Sequence, residues 1–151
     1  MKLVGLIILQ GLLEMTGTVG LSLVLARTCL SWKRALLVGS GLFILVQVFR
    51  YMPFFFGLHT LVGLLALTIY LIRSERVTVV SGFMAAFVSL FVLGLFEFAS
   101  NNVILWLVHV DPGVATADPE LWALIGLPQA AAMVLLAWCA SRIVKPHQRR
   151  R

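Results

Sequence analysis

Val48-Phe49-Arg50-Tyr51-Met52-Pro53-Phe54-Phe55-Phe56-Gly57-Leu58-His59-Thr60 sets an arginine, a proline, a glycine and a histidine inside an otherwise apolar run. The run extends from Ala35 to Ile72, 38 residues in which Gln47, Arg50 and His59 are the only strongly polar side chains. As one helix it would measure about 57 Å at about 1.5 Å per residue, against roughly 30 Å for the hydrocarbon core of a bilayer. The run must therefore fold back on itself. Pro53 is the expected turning point, because it offers no amide donor and biases Met52 away from helical geometry. No polar loop carries this turn into water, so the hairpin tip, with Arg50 and His59, is expected at or just under the lipid headgroups.

Composition points the same way. The chain has 151 residues, of which 61% are hydrophobic and 12% charged, and its mean hydropathy is +1.03. A soluble domain of this size could not hide so much apolar surface, whereas several spans of about 20 apolar residues account for it directly. The sequence reads as an all-α membrane protein, a polytopic bundle of five transmembrane helices in a single domain. The expected spans are about 3–26, 35–51, 54–72, 77–98 and 121–144. The first is too long and too acidic at its centre for a cleaved signal peptide and is read as retained. Ser100-Asn101-Asn102 marks the exit of the fourth, leaving Val103 to Val110 as a helix extension or an interfacial segment. Asp111 to Glu120, with Pro112, Gly113 and Pro119, is loop chemistry.

Charge sets the orientation. Of the 12 Lys and Arg, only Lys2 and Arg50 fall on the side opposite the first and third loops and the tail. The positive-inside bias then places the N-terminus out and the C-terminus in, across a bacterial cytoplasmic membrane. The net charge of +6 is therefore topological, with the basic tail lying against anionic membrane lipid rather than nucleic acid. Cys29 and Cys139 form no CxxC motif, so neither a redox pair nor a metal knuckle is expected. His59 has no second histidine at a matching depth, which argues against haem.

Residues four apart share a helix face, and Gln10, Glu14, Thr18 and Ser22 form such a stripe on the first span. An ionised carboxylate at the depth of Glu14 costs at least about 2.5–3.5 kcal/mol on insertion scales, so Glu14 must face the bundle. Gln10 and Glu14 either hold helices together by hydrogen bonds or serve a ligand. Gln47 and Arg50 share a face of the second span, Glu97 closes the fourth, and Gln129 follows Pro128 in the fifth. Such groups avoid lipid, so Gln10, Glu14, Gln47, Arg50, His59, Glu97 and Gln129 are the candidate ligand-binding residues, expected to converge in the outer half of the bundle. Arg50 either pairs with Glu97 there or snorkels to the surface. Gly17, Gly20, Gly39, Gly41, Gly57, Gly63 and the series Ser81, Ala85, Ser89 permit close helix contact, within one chain or in a homodimer. No serine, cysteine or aspartate pair stands where catalysis would need it, so no enzyme, cofactor or metal is expected.

Arg50, Pro53, Phe56-Gly57, His59-Thr60, Glu14, Glu97 and Gly126-Leu127-Pro128 together resemble the N-terminal multi-span sensor region of Firmicutes histidine kinases with GHKL-type ATPase domains. The resemblance spans nearly the whole chain and implies a sensor module. Since the chain carries no phosphoacceptor helix or ATP-binding domain, output would pass through a partner such as a histidine kinase. Glu14 followed by Thr16-Gly17-Thr18 is also similar to the first span of small multidrug transporters, which implies a second role for that acid, proton-coupled exchange.

Overall fold

The computed structural model describes residues 2–50, 58–108 and 119–144. These are helical throughout apart from short turns: α1 (Lys2–Leu25), α2 (Trp32–Arg50), α3 (Leu58–Ser74), α4 (Val79–Val108) and α5 (Pro119–Ile143). Four of them (α1, α2, α4 and α5) are long and apolar enough to cross a membrane, and α3 is a shorter apolar helix of 17 residues. Large apolar side chains such as Leu37, Val80, Phe98 and Ile143 point outward, a distribution suited to lipid rather than water.

α1 is the centre. Every residue from Thr16 to Val24 is buried, as expected of a helix that is apolar all round. It packs against α2, α4 and α5, while α3 closes the outer arc by packing on α2 and α4. Between apolar helices in lipid there is no hydrophobic drive to associate, so close approach of backbones has to supply the contact energy. Two glycines of this bundle make that approach possible. A β-carbon at Gly17 would stand 2.8 Å from Met133 Cβ and 2.9 Å from the Met133 carbonyl carbon and the Val134 nitrogen. One at Gly39 would stand 2.9 Å from the Thr16 nitrogen. Not every small residue works this way: Gly41 has nothing near it, and Ser81 is exposed.

The same contacts give the helix directions. Gln10 meets Gly126, Gly17 meets Met133 and Gly20 meets Ala137, so numbers rise together and α1 and α5 are parallel. Gly11 meets Phe43 whereas Gly39 meets Thr16, so α1 and α2 are antiparallel. Val46 against Gly63 and Arg34 against Glu75 make α2 and α3 antiparallel too. The fold-back expected of the 35–72 run is thus present, with its tip, Tyr51 to Gly57 including Pro53, outside the described residues.

α1 stops on a Schellman turn. Thr28 N–H donates to the Leu23 carbonyl at 3.0 Å and Arg27 N–H to the Val24 carbonyl at 2.9 Å, satisfying carbonyls the helix end would leave bare. Arg27 takes the left-handed conformation that this motif demands (φ 55°), and Arg76 does so after α3 (φ 53°). Both turns lie at one end of the bundle, where Arg34 Nη1 in the first turn of α2 pairs with Glu75 Oε1 just after α3 at 3.2 Å. The end of α5 joins them, since Ser141 and Val144 line one cavity with Thr28 and Cys29.

One alternative left open by the sequence is decided. α4 passes straight through Ser100-Asn101-Asn102 and runs 30 residues to Val108, so the segment after Asn102 is helix extension through its described part. The polar residues do not break it because the Asn102 side-chain amide donates back to the Phe98 carbonyl at 2.7 Å.

Candidate functional site

The site grows from the parallel seam of α1 and α5. On α5 the buried positions Gly126, Gln129, Ala130, Met133 and Ala137 recur at helical spacing. On α1, Gln10 and Gly17 look at that stripe, and Glu14 lies between them on the same face. The Gln10 amide occupies the place where a β-carbon at residue 126 would stand, so glycine there is what lets the two chains mesh. Gln129, one turn further along α5 and only 4% exposed, falls at the height between Gln10 and Glu14. Gln10 and Glu14 themselves are part-buried. An amide, a carboxyl and a second amide therefore share one seam, in the half of the bundle remote from the basic turns.

The lower part of the α1 stripe has a different character. Thr18 Oγ1 donates to the Glu14 carbonyl at 2.9 Å and Ser22 Oγ to the Val19 carbonyl at 2.8 Å. The protons of these hydroxyls are satisfied within their own helix. Thr16 Oγ1, by contrast, is buried with no hydrogen-bond partner, and the amide and carboxyl groups of α1 lie in its first half, where the wrapping of neighbours thins out.

The seven sequence-derived candidates do not form one cluster. Gln10, Glu14 and Gln129 lie on the α1–α5 seam. Gln47, part-buried near the end of α2, and His59, part-buried in the first turn of α3, belong to the α2–α3 pair. Arg50 ends α2 at the height of His59, and its side chain lies outside the described residues. Glu97 corrects the expectation of a shared interior. It continues the buried α4 stripe of Ala86, Ser89 and Leu93 by one turn, yet it is exposed. Leu93, one turn before it, packs with Leu21, Met133 and Ala137 of α1 and α5, and that cover does not extend to Glu97.

Sequence reasoning missed Gly126 as the host for Gln10, because nothing in the residue pattern says which side chain of α1 a glycine in α5 faces. It also missed the Arg34–Glu75 pair, to which the Tyr70 hydroxyl adds a bond at 3.4 Å. No local signal links charges 41 residues apart. No family model matches the chain, and neither a curated protein nor a solved structure is significantly similar to it.

The mesh of Gln10 with Gly126 is directly testable. Gly126→Ala is expected to cost about 1–2 kcal/mol of stability, since overpacking displaces the amide. In a Gln10→Ala background the same change should be neutral or favourable, because alanine suits a helix better than glycine by about 1 kcal/mol. Chemical unfolding of the four proteins in one detergent supplies the cycle. Equal costs in both backgrounds would show that the amide sits elsewhere.

Proposed function

We propose that this chain is a five-span module of a bacterial cytoplasmic membrane that binds a small ligand, such as an apolar cation, in the outer half of its bundle and passes the event to a partner protein. The observation that carries the reading is the α1–α5 seam, where Gln10, Glu14 and Gln129 stand together. A carboxyl in an apolar helix is costly unless it faces the interior, and such acids in membrane helices mark sites of binding or proton exchange. Gln47 and His59 occupy the same half of the bundle, which suits them to the rim of such a site.

The orientation belongs to the same proposal, with the N-terminus outside and the C-terminus inside. It is supported by the alternating helix directions and by the gathering of Arg27, Lys33, Arg34, Arg73, Arg76 and Arg142 at one end, as expected for a cytoplasmic face. The resemblance to histidine-kinase sensor regions fits a module whose output lies in a partner.

A transporter using Glu14 is the competing reading, and one preparation separates the two. Protein reconstituted in liposomes is exposed to tetraphenylphosphonium, with tryptophan fluorescence and internal concentration followed together. A binding module gives a saturable fluorescence change that Glu14→Gln abolishes, with no accumulation under an imposed pH gradient. Accumulation that depends on Glu14 would replace the sensor with an exchanger. An unchanged response in Glu14→Gln would remove the seam from either role.

A further inference from the structure

A second site lies at the opposite end of the bundle, between the first turn of α2 and the last turn of α3. Lys33, Arg34, Leu37, Val38, Tyr70 and Ser74 line an open groove of about 310 Å³ there. Its two ends differ in chemistry. The upper end carries Lys33, Arg34 and Ser74, and the lower wall is Leu37 and Val38. Leu37 is 75% exposed, while Val38 beside it is half-buried against the core, so Leu37 is the open part of that wall.

The charge at the upper end is unbalanced. Glu75 is the nearby acid, and it is already engaged by Arg34 Nη1 at 3.2 Å and by the Tyr70 hydroxyl at 3.4 Å. Lys33, and Arg73 in the last turn of α3, have no carboxylate partner among the described residues. α2 moreover carries Lys33 and Arg34, and no acid, in its first turn. That places two cations on the positive end of a helix macrodipole, an arrangement that an anion resolves by meeting both the side chains and the free amides of the first turn.

We propose that the groove holds an anionic phospholipid, its phosphate at Lys33 and Ser74 and an acyl chain along Leu37 and Val38. Charge complementarity selects an anionic head, and the exposed apolar wall below it selects a molecule with a tail. Basic pockets between helices on the cytoplasmic side of a membrane take lipid headgroups in this way. The inference rests on the membrane reading of the chain and is independent of the α1–α5 seam.

Thermal unfolding of the full chain in neutral detergent tests it, with dioleoylphosphatidylglycerol, dioleoylphosphatidylcholine or inorganic phosphate added. Phosphatidylglycerol is expected to raise the midpoint by roughly 3–6 °C more than phosphatidylcholine, as a ligand of the folded state does. Lys33→Gln should remove at least half of that difference, and Leu37→Trp, which fills the groove from its apolar side, should remove it too. Equal shifts from the two lipids, or a full difference retained in both variants, would overturn the site. A shift of the same size from inorganic phosphate would overturn the lipid as its occupant. Should either variant fail to fold, the comparison of the three additives on the parent protein decides alone.

Discussion

Gly17→Ala should destabilise the bundle by about 1–3 kcal/mol, and Gly17→Leu should prevent its assembly. The added carbon would meet Met133 Cβ at 2.8 Å and two backbone atoms of α5 at 2.9 Å. Side chains can rotate away from an intruder, but backbone cannot, so the helices themselves must separate. Gly39→Ala meets the Thr16 backbone at 2.9 Å and 3.0 Å and should cost a similar amount. The informative control is Gly41→Ala, two residues along on the same helix, with no atom within 4 Å of the added carbon. There alanine should be neutral or stabilise by up to about 1 kcal/mol through helix propensity. Unfolding curves in one detergent give all three values. A Gly17→Ala protein as stable as Gly41→Ala would mean that α1 and α5 do not touch at this level.

Met133→Ala is expected to cost about 2–5 kcal/mol, the range for truncating a fully buried methionine. Met133 is 0% exposed and belongs to the core cluster with Leu21, Leu93 and Ala137, where α1, α4 and α5 meet. The cavity it leaves lies one turn below Gln129, so the loss should also slacken the seam that carries the polar groups. Combining Met133→Ala with Gly17→Ala should bring no relief. Alanine keeps the β-carbon, and the other two close atoms at Gly17 are backbone, so the Gly17→Ala penalty should persist in the Met133→Ala background, and the double-mutant cycle reads the coupling of this contacting pair. A double variant more stable than Met133→Ala alone would show that the methionine side chain, rather than its backbone, sets the spacing of the helices.

The helices were legible in the sequence because length and apolarity are local properties. The 35–72 run is too long for one crossing, and the structure folds it into the antiparallel pair α2 and α3. The end of α4 stayed open between a helix extension and an interfacial segment. Asn101 and Asn102 look like an exit, and only the bond from Asn102 to the Phe98 carbonyl shows how a helix carries them. At the site, helical spacing puts Gln10 and Glu14 on one face of α1. Which neighbour that face meets depends on helix order around α1, and no residue pattern states it. Glu97 shows the limit most plainly. Its periodicity matches a buried stripe, but burial also requires a neighbour at that height, and the packing of α1 and α5 around Leu93 does not reach it.

The polar seam depends on α1 and α5 running side by side in the same direction, because that register alone puts Gln10, Glu14 and Gln129 together. Gly20 and Ala137 offer the direct test, since a β-carbon at Gly20 would lie 3.3 Å from Ala137 Cβ, close to the roughly 3.5–4.5 Å that a disulfide spans. With Cys29 and Cys139 replaced by serine, Gly20→Cys/Ala137→Cys should form an intramolecular cross-link under mild oxidation. Gly20→Cys/Ala130→Cys, two turns away, should not. Cross-linking of the second pair in place of the first would contradict the register and dissolve the seam.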